Sequence, residues 1–123
     1  MARLKTKYHS RKVVRGGETF DSVKEYRRFC ELSLLQRAGA ITELQRQVEF
    51  ELIPTQREPD SVGVRGGVKK GKVIELGVKY VADFVYFENG KKVVEDTKGF
   101  KTPEYKIKRK LMLFIHGIRI KET

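Results

Sequence analysis

The dipeptide Asn89-Gly90 constrains this chain more than any other feature. It separates two runs of alternating hydrophobicity, residues 80–88 and 91–98. A two-residue type I′ turn needs positive φ at both central positions, which asparagine and glycine tolerate best. Counting outward from such a turn sets the register: Glu88 faces Lys91, Tyr86 faces Val93, Val85 faces Val94, and Asp83 faces Asp96. Alternation then puts Val81, Asp83 and Val85 on one face with Val94, Asp96 and Lys98, and the valines mark that face as inward.

This register stands two carboxylates opposite each other, roughly 5 Å apart at Cβ. At an effective dielectric near 20, two full charges at that separation repel by about 3 kcal/mol. A divalent cation offsets the repulsion, and hard oxygen donors suit Mg²⁺. Lys98 adds a positive charge on the same face. Two acids and a lysine around a metal form a constellation for phosphodiester hydrolysis. The residues alone leave a plainer reading open, in which Asp83 and Asp96 flank a solvated hairpin and Lys98 is their ion-pair partner. A slipped register or a bulge would also part the acids.

The net charge of +11 and pI near 9.9 point to a polyanionic partner, DNA or RNA before an acidic membrane surface. A length of 123 residues, 39% hydrophobic and 35% charged, fits one globular domain with a modest core. Cys30 is the only cysteine, which excludes a disulfide framework, and its helical setting predicts a small core residue. His9 and His116 are far apart and form no zinc spacing with it. No apolar run approaches membrane-spanning length, and the N-terminus lacks the apolar core of a secretory signal, so the expected location is cytoplasmic.

Residues 1–19 read as a basic arm without periodicity. Residues 21–38 read as a helix, with Ser22 and Glu25 as a capping box, Gly39 as the stop, and a stripe of Val23, Tyr26, Phe29, Cys30, Leu34 and Leu35. From spacing alone, Glu25 serves the cap before it serves a site. Residues 41–53 read as a strand ended by Pro54. Residues 55–72, rich in glycine and carrying Arg65, Lys69 and Lys70, read as a flexible basic loop suited to a phosphate backbone. A strand over 72–79, kinked at Gly77, leads into the hairpin. Thr102 and Pro103 then start a helix that runs to His116, with Ile107, Leu111, Phe114 and Ile115 as its stripe and Gly117 as its stop. Lys106, Arg109 and Lys110 make its other face basic and able to hold phosphates. Residues 118–120 read as a last strand. The order is a single α/β domain with a mixed sheet.

These pieces together resemble the PD-(D/E)xK nuclease superfamily: Glu25 on the first helix, Ala82-Asp83 on one strand, Asp96-Thr97-Lys98 on the next, and a basic helix after it. Within it the chain looks like the small phage-encoded group that includes Holliday-junction-resolving enzymes. The resemblance spans residues 20–121. Ala82 stands where that motif usually has proline, and Asp96 where glutamate is more frequent. It implies an α-β-β-β-α-β restriction-endonuclease-like core. It also implies Mg²⁺ or Mn²⁺ held by Asp83, Asp96 and the Thr97 carbonyl with help from Glu25, Lys98 orienting water, and Gln47 as a further site residue. The implied activity is structure-selective DNA cleavage, at four-way junctions, by a homodimer. Two alternatives stand beside it: a less selective endonuclease of the same superfamily, and a non-catalytic nucleic-acid-binding module.

Overall fold

The computed structural model describes residues 12–123. The chain begins with a small hairpin of β1 (Val13–Arg15) and β2 (Glu18–Phe20), followed by helix α1 (Val23–Arg37) and the long strand β3 (Thr42–Ile53). Four short strands come next: β4 (Gln56–Arg57), β5 (Ser61–Val62), β6 (Val68–Lys69) and β7 (Val73–Glu75). Then come β8 (Val78–Glu88), β9 (Lys91–Asp96), helix α2 (Pro103–His116) and β10 (Lys121–Glu122). The central sheet has the order β10-β9-β8-β3, antiparallel except for the β9–β10 pair, so it is mixed.

The β8–β9 turn is the one its sequence demands. Asn89 and Gly90 have φ of 52° and 75°, and Glu88 pairs with Lys91, Tyr86 with Val93 and Val85 with Val94. The last paired position is Phe84 with Glu95, one step before Asp83 and Asp96. Uniform alternation along β8 does not hold. Tyr80, Ala82 and Val85 share one core with Tyr105 and Met112 of α2, whereas Phe84 and Tyr86 share the other with Leu32 of α1. The side-chain phase therefore changes across Asp83, and Val81 is exposed instead of facing inward with Val85. Strand β3 changes phase at the matching point. Leu44 packs toward α1, while Val48, Phe50 and Leu52 pack toward α2. Gln47 lies between them with φ of 52° and, by register, opposite Asp83. Such irregularities re-aim side chains without ending the ladder.

Both helices have the caps read from sequence. The Ser22 hydroxyl accepts from the Glu25 amide at 3.0 Å, and the Thr102 hydroxyl accepts from the Tyr105 amide at 3.0 Å. Gly117 closes α2 in the left-handed region, with φ of 66°. The buried faces differ from the expected stripes. Helix α1 buries Glu25 and Leu32, and leaves Val23, Leu34, Leu35 and Cys30 exposed. Helix α2 buries Tyr105 and Met112, and leaves Ile107, Phe114 and Ile115 exposed. The inward face of α1 combines Leu32 and Phe29 with charged groups, and those charges are paired. Arg28 donates to both oxygens of the fully buried Glu95, at 2.7 and 2.8 Å, and Tyr86 adds a bond to Glu95 at 2.8 Å. A buried carboxylate without such partners costs several kcal/mol.

The stretch 55–72 is paired, not an irregular loop. Strands β4 with β7 and β5 with β6 form a ribbon beyond β3 and β8. Asp60 accepts from the Gly71 amide at 3.0 Å, Arg57 donates to the Gly71 carbonyl at 3.0 Å, and the Glu58 amide donates to the Lys72 carbonyl at 2.8 Å. A Cβ at Gly71 would lie 1.8 Å from the Glu58 carbonyl oxygen, so only glycine allows this approach. Of the basic arm, residues 1–11 lie outside the described residues, and the rest forms the β1–β2 hairpin beside α1. The final strand is β10, a little beyond the expected 118–120, where Ile120 is a core residue instead.

Candidate active site

The phase change at Asp83 puts its carboxylate at the seam between the two faces of the sheet. Its Oδ2 accepts from the Thr97 amide at 2.9 Å and from the Thr97 hydroxyl at 2.8 Å. This ties the end of β9 to the middle of β8 and orients Asp83 beside Asp96. Asp96 is 1% exposed. Its Oδ2 accepts a short hydrogen bond from the Tyr80 hydroxyl. Its Oδ1 is buried with no hydrogen-bond partner, and Lys98 Nζ stands 3.4 Å away as an ion pair. Burial and then the nearby Asp83 carboxylate push the Asp96 carboxyl up to about 7, against the Tyr80 hydrogen bond and the Lys98 charge. The ammonium of Lys98 also lies 4.8 Å from the centre of the Tyr105 ring, which holds it at the acid pair.

Glu25 approaches from the first turn of α1. One oxygen accepts from the Asp21 amide at 3.1 Å, and the other from Gln47 Nε2 at 3.1 Å and from Arg46 at 3.4 Å. It therefore closes the helix start and also meets the residue opposite Asp83. Burial, followed by the charge of Asp83, raises its pKa above the ordinary glutamate value. Arg46 is fixed in turn by the Phe20 ring, 3.8 Å from its guanidinium carbon. The positive φ of Gln47 lets its amide turn toward Glu25, a role that spacing does not disclose.

The acid pair fits a hard divalent cation on the chemistry of its donors. All are oxygens, one is buried without a hydrogen bond and is ion-paired with Lys98, and the nearby Asp83 charge raises the pKa of the Asp96 carboxyl. Asp83, Asp96 and the Thr97 carbonyl are the atoms available to hold it. Among the described residues no three His, Cys, Asp or Glu side chains stand together as a ready metal group; Glu25 lies near enough to the pair for the Asp83 charge to raise its pKa.

The remaining residues read from sequence separate into two groups. Arg65, Lys69 and Lys70 lie exposed on the ribbon, and Lys106 and Lys110 lie exposed on α2. Arg109 is engaged, with its guanidinium 3.1 Å from Glu122, so it is already paired within the fold. Four residues escape the sequence reading: Tyr80 on Asp96, Arg28 on Glu95, and Lys24 and Arg27, which line a cleft with Thr97. The tyrosine could have been found from its position on the strand that carries the acid. The α1 cations were hidden in a helix read by its apolar stripe. Among the described residues, no helix is long and apolar enough to cross a membrane.

Residues 5–119 match the family described as "Protein of unknown function (DUF1064)". No curated protein and no solved structure matches the chain.

Proposed function

The chain belongs to the DUF1064 family, whose description assigns no function, and from its site we propose that it is a metal-dependent, structure-selective DNA endonuclease that resolves four-way junctions. The observation that carries this reading is the pair Asp83 and Asp96. They lie close together on neighbouring strands, and a buried oxygen of Asp96 has no hydrogen bond and only Lys98, at 3.4 Å, as an ion-pair partner. The run Asp96-Thr97-Lys98 after Asp83, with Glu25 on the preceding helix, keeps the order of the PD-(D/E)xK core. The charge of +11 supplies the attraction to DNA.

In this mechanism Asp83, Asp96 and the Thr97 carbonyl would hold Mg²⁺ or Mn²⁺. Such a cation lowers the pKa of bound water and stabilises negative charge that develops on the phosphate. Thr97 fixes the Asp83 carboxylate, and Tyr80 fixes one oxygen of Asp96 while the other has no hydrogen bond and is ion-paired with Lys98. Lys98 orients the attacking water or shares the charge of the transition state. Glu25, bonded to Gln47, would help at the metal directly or through water from the α1 side. The products are a 5′-phosphate and a 3′-hydroxyl. Paired cuts across a junction call for two such sites, hence a twofold homodimer. Lys106 and Lys110 on α2, with Arg65, Lys69 and Lys70 on the ribbon, bind flanking phosphates.

The test compares cleavage of a labelled four-way junction with that of a linear duplex made from the same arms, in Mg²⁺. Faster cutting of the junction supports the reading. Equal rates reduce it to a less selective endonuclease. Binding without cutting under any divalent metal leaves a DNA-binding module.

A further inference from the structure

A cleft of about 400 Å³ lies between the outer side of α1 and the end of β9, lined by Lys24, Arg27, Arg28, Glu31 and Thr97 among others. Its charges are unequally engaged. Arg28 is held by Glu95 and Glu31, at 2.7 and 2.8 Å. Arg27 is exposed and makes no hydrogen bond or ion pair among the described residues. Lys24 is exposed as well, and among the described residues its one polar contact is with the Lys98 carbonyl at 3.4 Å. Glu31 is paired with Arg28, and among the described residues no ion pair answers Lys24 or Arg27. The cleft is also joined to the acid pair, through Lys98 and through Thr97. Thr97 lines the cleft, and its amide and hydroxyl bind Asp83.

We infer that Lys24 and Arg27 form a subsite for a backbone phosphate of the DNA strand being cut, next to the scissile one. The inference rests on the nuclease reading for which phosphate is scissile, but not for the binding of phosphate itself. A strand whose reacting phosphate lies at Asp83 and Asp96 must carry its neighbouring phosphates past Thr97 on one side. Charges on a strand follow one another every ~3.4 Å of helix rise. The lysine and arginine differ usefully here. Arg27 offers a planar fork for two phosphate oxygens, and Lys24 offers a point charge against the Lys98 backbone. Together they fix the register of the strand, so that a particular bond meets the acid pair. They are positioning residues and do not touch the reacting atoms.

The experiment uses the double variant Lys24→Gln/Arg27→Gln. Its control is Lys91→Gln/Arg119→Gln, which removes equal charge from exposed residues elsewhere. Each protein is given junctions in which single phosphates around the cut are replaced, one at a time, by neutral methylphosphonate. Binding is measured in EDTA and cleavage in Mg²⁺. The wild type and the control should lose about tenfold in binding at one flanking position, and the Lys24/Arg27 variant should be insensitive there. Its slope of log affinity against log salt should fall by ~1, as for one lost phosphate contact. If the Lys24/Arg27 variant keeps the same interference pattern as wild type, the subsite is overturned. If no protein cuts but the pattern still shifts, the subsite stands and the nuclease reading falls.

Discussion

Replacing Asp96 by asparagine removes one buried charge and almost no volume. In the metal-free protein that charge is a burden. Its carboxyl is pushed from 3.8 up to about 7 by burial and by Asp83. A folded-state pKa above the unfolded value contributes stability that is full below pH 3.8 and lost as pH rises through about 7. At about 1.4 kcal/mol per tenfold change in proton affinity, the loss across that window is about 4 kcal/mol. Asparagine cannot ionise, and its amide can still accept from Tyr80 and donate to Asp83. The variant should therefore be more stable than wild type at pH 8 by about 2–4 kcal/mol, the lower figure allowing for imperfect amide geometry. Urea unfolding in EDTA at pH 5 and pH 8 measures this. With a slope near 2 kcal/mol/M, the midpoint should rise by roughly 1–2 M at pH 8 and by much less at pH 5. Adding Mg²⁺ should stabilise the wild type and leave Asp96→Asn unchanged. An equal effect at both pH values, or a variant less stable than wild type at pH 8, would refute the reasoning.

Tyr80→Phe removes the donor to Asp96, which raises that carboxyl further; the rising limb of the pH–rate profile should move to higher pH, with about tenfold less cleavage at pH 7 and recovery by pH 9. Lys98→Ala should lower cleavage by roughly 10²–10³-fold while binding to a junction in EDTA stays within about threefold. Arg28→Gln leaves the fully buried Glu95 without its cation and should cost about 3–5 kcal/mol of stability in urea unfolding. Gly71→Ala drives a Cβ against the Glu58 carbonyl, so limited proteolysis should cut faster within 56–72 while the midpoint for the core moves little.

The hairpin was legible because Asn89-Gly90 carries its own backbone requirement, and the helix caps because Ser22, Thr102 and Gly117 carry theirs. The phase change was not. Alternation was counted as uniform, and nothing about glutamine announces a positive φ at position 47. The pairing of Asp83 near Asp96 survived this, because register depends on the turn and not on the face. The helix faces were misread for a common reason. An apolar stripe identifies the buried side only where burial is apolar, and α1 buries Glu25 and turns the half-buried Arg28 onto Glu95. On α2 the exposed Ile107 and Phe114 outweighed Tyr105 and Met112 in the pattern. The glycines of 63–71 suggested an irregular loop. In the fold they serve a tight turn and the close approach of Gly71 to Glu58. Arg109 was counted as free because its partner, Glu122, arrives only through the parallel pairing of β10 with β9.

Uptake of Mn²⁺, followed by loss of the free-ion paramagnetic resonance signal at pH 8, reads the acid pair without relying on any substrate. The wild type should bind the ion, lose it as pH falls below about 6, and bind it far more weakly after Asp83→Asn or Asp96→Asn. Wild-type protein that leaves millimolar Mn²⁺ free, or variants that bind it as well as wild type does, would contradict a cation held between these two aspartates.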